Sequence, residues 1–409
     1  MDLDPDSIKK DFPRMRGVYL NNASSAPVPF IAIKAVTDFL ISYDEYGPDS
    51  STSASMVDDL LSRARKEIAR LINCKEDEIV FTQSTTHAIN IIANALNIKR
   101  DDDDGDVAIV IRDGEHEHSA NYYAWLRLKR RGVAIKNLNL KDEDGSIDVE
   151  ELKEIVDSGE VKVRLVALSH VLFNTGLILP IEEVGRVLRE KDKDGGRRIH
   201  LFVDAAQSVG CMDVDVKKLG CSFMAFPSSK WLCAPTGLGI LYCSRDAWDD
   251  VEPLYIGGES AFIHDDMLCY RDMPHRMQAG FRGYPLLAGL VASLQYISSI
   301  GIARIRNWNM HLAGMVREGL RDDGKHIKLY GPDDSRLRSS IVSFSFNNED
   351  SDAMVSRLVR DLEREGIIVA EREVLKKKIV RVSPHFFNSE DDIARFLATL
   401  KRALAVLTS

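Results

Sequence analysis

Between Asp106 and Cys243 short apolar runs alternate with segments of helical period, and few folds accommodate that rhythm. The runs VAIVI, VAIKNLNL, VRLVALSH, HLFVD, FMAFP and LGILYC are too short for helices and are rich in Val, Ile, Leu and Phe. Bounded by Gly, Pro, Ser or Asp, they read as strands buried on both faces. Between them lie helical segments around Asn121–Arg131, Val149–Val156 and Ile181–Arg189. This alternation predicts a mostly parallel sheet wrapped by helices. Such sheets bind ligands beyond the carboxyl ends of their strands.

Upstream, an N-terminal arm ends in the apolar strand VYL and the turn-forming run NNASSAPVP. A helix is expected from Ile31 to Tyr43. The loop YGPDSSTSAS follows, its serines capping a helix at Val57–Ile72. In DEIVFTQSTTHAINIIANAL the strand IVF turns sharply into a helix capped by Ser84 or Thr85. KRDDDDGD reads as a solvated turn.

From about Leu286 the texture changes. Long helical segments, LLAGLVASLQYISSIG and Ile305–Leu320, lead through the polar link RDDGKHIKLYGPDDSRLRS to the strand SIVSFSF. The helix SDAMVSRLVRDLEREG stops at Gly366, the strands GIIVA and KIVRVS follow, and a last helix is capped by Ser389 with Asp392 three residues on. The expected division is an arm at 1–24, a large domain at 25–285 and a small α+β domain at 286–409.

A chain of 409 residues has room for two such domains. Its net charge of -9 argues against nucleic acid or an anionic membrane as the main partner. No apolar run reaches the roughly 18 residues of a membrane span, and the acidic start is no signal peptide. A cytoplasmic location is expected. The six cysteines show no zinc spacing, so no metal is expected, and most read as core thiols in a reducing compartment.

Thr82, His170, Asp204 and Ser228–Lys230 all fall at predicted strand ends. An acid and a lysine on neighbouring buried strands form either a structural ion pair or a built site, since neither charge is stable there alone. Gln83-Ser84-Thr85-Thr86 opens a helix, as a plain N-cap or as a phosphate cradle. Lysine, acid and cradle together meet the needs of pyridoxal phosphate. The lysine forms the Schiff base, the acid keeps the pyridine nitrogen protonated, and the cradle anchors the phosphate. Neither GxGxxG nor GxxxxGKS stands at a strand–helix turn, which argues against a nucleotide site.

The motifs VYLNNASSAPVP, FTQSTTHAINIIAN, LSHVLFNTG, VDAAQSVG, FPSSKWLCAPTGLGILY, QAGFRGYP and IVRVSPHFFNSEDDI run in order along nearly the whole chain. In this they resemble the class V aminotransferase group of fold type I pyridoxal-phosphate enzymes, which includes cysteine desulfurases, selenocysteine lyases and isopenicillin N epimerase-like proteins. The resemblance implies an α/β fold, with a mostly parallel seven-stranded sheet in the large domain and a small α+β C-terminal domain. It implies that Lys230 is the catalytic Schiff-base lysine, that Asp204 meets the pyridine nitrogen, and that Gln207 lies near the phenolic oxygen. Thr85 and Thr86, with Ser228 or Ser229, would hold phosphate, and His170 would line the cofactor pocket. Arg381 would bind the substrate carboxylate, although taken alone it reads equally as a surface residue on an edge strand. Arg372 is a second candidate, and Asn22 falls on the substrate side.

Departures from the family pattern bear on the chemistry. Relatives that desulfurate cysteine carry a nucleophilic cysteine between the last two strands, where this chain has AEREVLKKK. Persulfide formation needs a thiolate, so desulfuration by that route is not expected. The histidine before the lysine is replaced by Ser229. The ring-stacking position falls on Ser119 with His118 adjacent, and His116 is expected on a surface loop. The threonine that reaches the partner subunit's phosphate falls on Phe281, where Arg282 or backbone N–H groups would substitute. An asparagine near the cofactor falls on Phe173, with Asn174 adjacent. Together these changes lean toward the epimerase-like branch. The expected protein is a homodimer with its active site near the subunit interface, acting on an amino acid by Cα deprotonation. C–S lyase, desulfurase and aminotransferase are the alternatives within the family; a non-catalytic binding protein on the same fold is the alternative outside it.

Overall fold

The computed structural model describes residues 3–13, 17–96, 98, 106–192, 198–322 and 326–407. The expected seven-stranded sheet is present, in the order Ile79–Thr82, Gly239–Cys243, Phe223–Pro227, His200–Asp204, Lys162–Ser169, Val107–Arg112, Ala134–Leu138. Gly239–Cys243 is antiparallel to both its neighbours, and the other pairs are parallel. The carboxyl ends of the other six strands therefore share one edge, which brings together Thr82, Pro227, Asp204, Ser169 and Arg112.

Successive side chains of a strand point to opposite faces, and here both faces are buried. Met224 and Phe226 enter one core with Val203 and Ile240; Phe223 and Ala225 enter the other with Phe202 and Leu241. That two-sided burial explains why these strands read as continuous apolar runs.

A four-stranded antiparallel sheet has the order Ile327–Tyr330, Val342–Phe346, Lys377–Val382, Ala370–Val374. Leu312 and Val316, Leu358 and Leu362, and Phe396 and Leu400, from three helices, pack into its core. Val18–Tyr19 pairs in parallel with Ile367–Ile368, Asn21 bridges to Ser383, and Ala26 N donates to Ser229 O at 2.8 Å. Residues 18–26 thus cross from the small sheet to the lysine loop of the large one. The helix Tyr284–Ile300 packs against the helices Phe30–Tyr46 and Ser51–Ile72, and its Leu287, Leu290 and Leu294 join the core on one face of the large sheet. The chain then bends by 76° at Gly301 into Ile302–Arg321. No single described helix is long and apolar enough to cross a membrane.

Several elements differ from expectation. The second long helix begins at Ser51, capped by the Ser50 hydroxyl, so the serines expected in a loop form its first turns. The strand Ile327–Tyr330 lies inside the expected polar link and exists through its pairing with Val342–Phe346. A hairpin, Ala261–His264 with Met267–Tyr270, turns through Asp265 and Asp266, both left-handed at φ 48° and 58°. Gly366 is left-handed at φ 73° as a C′ glycine should be, and Ser389 and Asp392 cap each other's N–H groups reciprocally at 3.2 and 3.3 Å. The acidic turn KRDDDDGD lies outside the described residues except for Asp106.

Candidate active site

Asp204 closes its strand between Ser169 on one neighbour and Ala225 on the other, and its Oδ1 accepts the Ala206 N–H at 2.9 Å. One strand further on, Ser228–Lys230 leave Phe223–Pro227. The Ser228 hydroxyl is buried and donates to Pro235 O at 2.6 Å. Ser229 O accepts Ala26 N and, at 3.1 Å, Ser25 Oγ, which tie the loop to the arm. Burial pushes Lys230 down to about 8; Asp204 pulls it back up, while Arg381 and Arg372 push it further down.

Lys230 opens into a cavity of about 610 Å³, whose walls include Gln207, His118, Tyr122, Arg372 and Arg381. Gln207 is held from both sides: its Nε2 donates to Ala23 O, and its Oε1 accepts Trp231 Nε1, each at 2.9 Å. His118 caps the helix Ser119–Leu126, its Nδ1 accepting Ala120 N at 3.2 Å, which leaves the ring hydrogen on Nε2. Its ring meets Phe173 edge to face with centroids 5.2 Å apart. Ser119 lines the same cavity, but His118 supplies the ring.

At the other end, Ser84 caps the helix Thr85–Ala95 by accepting His87 N at 3.1 Å. The first-turn N–H groups of a helix lack intrahelical acceptors and carry its positive end. Thr85 Oγ1 is buried there without a partner, whereas Thr86 is exposed. Gly239 makes the approach possible, since a Cβ there would come within 2.3 Å of the Ser84 carbonyl carbon. His170 N donates to Asp204 O at 2.8 Å. Its ring is buried with Nδ1 unpartnered, and burial pushes it down to about 4, so it is neutral.

Arg381 is 1% exposed on a central strand of the small sheet, which rules out the edge-strand reading. Its Nη1 donates to Phe173 O at 2.8 Å; its Nη2 donates to Ser24 Oγ at 2.7 Å and Asn21 Oδ1 at 3.3 Å; its Nε has no partner. Burial and the neighbouring Arg372 push it down to about 9. Arg372 Nη2 donates to the same Ser24 Oγ at 2.6 Å. Two guanidiniums converge here on one hydroxyl, with no carboxylate among these partners, an arrangement chemically able to take an anionic head group.

Other candidates stand elsewhere. Asn22 is buried and braces the arm by donating to Ser383 O at 2.8 Å. Asn174 Nδ2 bridges Glu115 O and Glu373 O, both at 3.3 Å. Arg282 is exposed against Glu259 and Tyr284, in a second cavity of about 810 Å³ that Lys230 does not line. His116, expected at the surface, is fully buried: its Nε2 meets Glu143 O at 3.0 Å and its ring packs on Gly145. Glu117, Ser24 and Tyr122 line the Lys230 cavity although no motif singles them out. Between the last two strands Leu375 and Lys376 form a tight turn, both left-handed at φ 49° and 63°. None of the six cysteines lines the cavity.

The carboxyl edge of the sheet therefore holds the groups that pyridoxal phosphate requires: a lysine with a lowered pKa, an acid on the adjacent strand, and an unpartnered hydroxyl at a helix N-terminus. The fold and the site define a pyridoxal-phosphate-dependent enzyme. Residues 18–396 match the family model Aminotransferase class-V, and the chain belongs to that family. It is 33% identical over 412 residues to a probable cysteine desulfurase of Methanothermobacter thermautotrophicus, with 97% of each chain covered. A probable cysteine desulfurase of Pyrococcus abyssi is 31% identical, with 99% of each covered. The apo cysteine desulfurase of Thermococcus onnurineus has the same fold, with a TM-score of 0.86 at 28% identity and 98% of each chain covered. These comparisons favour the desulfurase alternative and give no support to the epimerase-like branch. The departures that suggested that branch are local replacements, whereas the likeness to desulfurases extends over the whole chain.

Proposed function

We propose that the chain cleaves the Cβ–S bond of a cysteine-type amino acid. The observation that carries this reading is the pair Arg381 and Arg372, joined through Ser24 and facing Lys230 across one cavity. The guanidiniums and Ser24 take the α-carboxylate and fix the direction of the Cα–H bond. Lys230, its pKa lowered to about 8, removes that proton as general base. Pyridoxal phosphate, when bound, supplies the electron sink for the pair left at Cα. In this reading Asp204 holds its ring nitrogen, Thr85 and the helix N-terminus hold its phosphate, and Gln207 and His118 flank its ring. With no thiol of the chain lining the cavity, the sulfur leaves in one of two balanced ways. Water completes the reaction to pyruvate, ammonia and sulfide, or an external thiol takes the sulfur as a persulfide and alanine is released.

We also read the protein as a homodimer in the cytoplasm. Phe262, Ile263, Met267 and Leu268 on the hairpin, and Phe30, Ile31, Leu40 and Ile41 on an N-terminal helix, are exposed apolar side chains of the kind that mark an interface. Arg282 beside them would serve the partner's phosphate. All six cysteines are free, as suits a reducing compartment. The test is incubation of the cofactor-loaded protein with L-cysteine, with and without added thiol, measuring sulfide, pyruvate and alanine. Sulfur release supports the reading. Inversion at Cα with deuterium uptake and no sulfur release overturns it in favour of epimerisation.

A further inference from the structure

Glu117 stands between the sheet and the cavity, and the chemistry above gives it no part. It is 2% exposed yet lines the cavity. Its carboxylate is fully engaged: Oε2 accepts Ser169 N at 3.1 Å, while Oε1 accepts His118 N at 3.0 Å and the Ser169 hydroxyl. Ser169 is the register partner of Asp204 on the next strand. Glu117 therefore fixes two things at once, the strand end beside Asp204 and the turn that aims His118 into the cavity.

Two carboxyl groups in mutual electrostatic reach in a buried site do not both ionise freely. The charged groups that act on Glu117 are Asp204 from its strand end, which disfavours ionisation, and the buried Arg112 from the end of Val107–Arg112, which favours it. His118, its chain neighbour, is kept below its ordinary pKa by burial.

We propose that Glu117 is a positioning residue that sets the field at Asp204, so that the ring-nitrogen end of the cofactor site changes state when Glu117 gains or loses its proton. This rests on the assignment of Asp204 to the ring nitrogen. Protonated, Glu117 donates to Ser169 Oγ instead of accepting from it, and the negative charge beside Asp204 is gone. Burial, then Asp204, push its carboxyl up to about 7 against the Ser169 hydrogen bonds and Arg112, so the change falls near neutrality.

The test is a pH titration of the absorbance band of the lysine-bound cofactor in the holoenzyme and in Glu117→Gln. The wild type should show an inflection near pH 7 that the variant lacks. Ser169→Ala, which removes a donor to the carboxylate, should move the inflection to higher pH. Superimposable curves for wild type and Glu117→Gln, or an inflection that stays in place in Ser169→Ala, overturn the proposal. A wild type with no such band at all fails the cofactor assignment itself, a separate outcome.

Discussion

Arg372 and Arg381 lie on adjacent antiparallel strands and donate to one oxygen, Ser24 Oγ, at 2.6 and 2.7 Å. Like charges held this close oppose one another; burial lowers the proton affinity of both, and Arg372 lowers that of Arg381 further. Among the described residues neither guanidinium has a carboxylate as hydrogen-bond partner, which leaves the pair able to take an incoming anion.

Arg381→Ala should therefore raise KM for amino-acid substrates by about tenfold or more, the loss expected for a charge-assisted hydrogen bond. Arg381→Lys should recover only part of this, because an ammonium cannot reproduce the planar fork. Steady-state kinetics on any turned-over amino acid check it, and an unchanged KM removes Arg381 from the site.

Gly239→Ala should weaken both the fold and the cofactor site. Its Cβ would meet the Ser84 carbonyl carbon at 2.3 Å and Thr82 Oγ1 at 2.6 Å. Overpacking of this kind costs about 1–3 kcal/mol. The cost should appear as a lower Tm together with weaker pyridoxal-phosphate binding, since the displaced backbone is the N-cap beside Thr85.

The buried histidines make the fold sensitive to acid. Burial pushes His170 down to about 4 and His385 to about 3, so both are neutral in the folded protein. Unfolded histidines titrate near 6.5, so below that pH the unfolded state binds protons that the folded state refuses. Their contribution is complete above about pH 6.5 and is lost as pH falls toward 4 and then 3. Tm of the apoprotein should fall across this window, and unfolding there should take up protons. A flat profile contradicts it.

The large sheet was legible in the sequence because its inner strands are buried on both faces and keep a nearly continuous apolar signature, whereas the edge strand Ala134–Leu138 is only half-buried. Asp204 and Lys230 were legible because a charge that ends such a run is conspicuous. Ser24 and Glu117 were not. Ser24 reaches the arginines because Val18–Tyr19 pairs with Ile367–Ile368, and Glu117 reaches Ser169 because two parallel strands end side by side. Both placements depend on pairings remote in sequence, which no local pattern records. The hairpin Ala261–Tyr270 was missed for a related reason: its turn is Asp-Asp, without the glycine that usually announces a two-residue turn. His116 reads as a loop residue because its burial depends on a glycine, Gly145, in another loop.

Every role proposed for the site depends on where the cofactor is attached. Reduction of the pyridoxal-phosphate-loaded protein with borohydride, followed by peptide mass mapping, should place the cofactor's added mass on Lys230 alone, and Lys230→Ala should lose both the mass label and the absorbance band. Labelling at another lysine, or an unchanged band in Lys230→Ala, would contradict it.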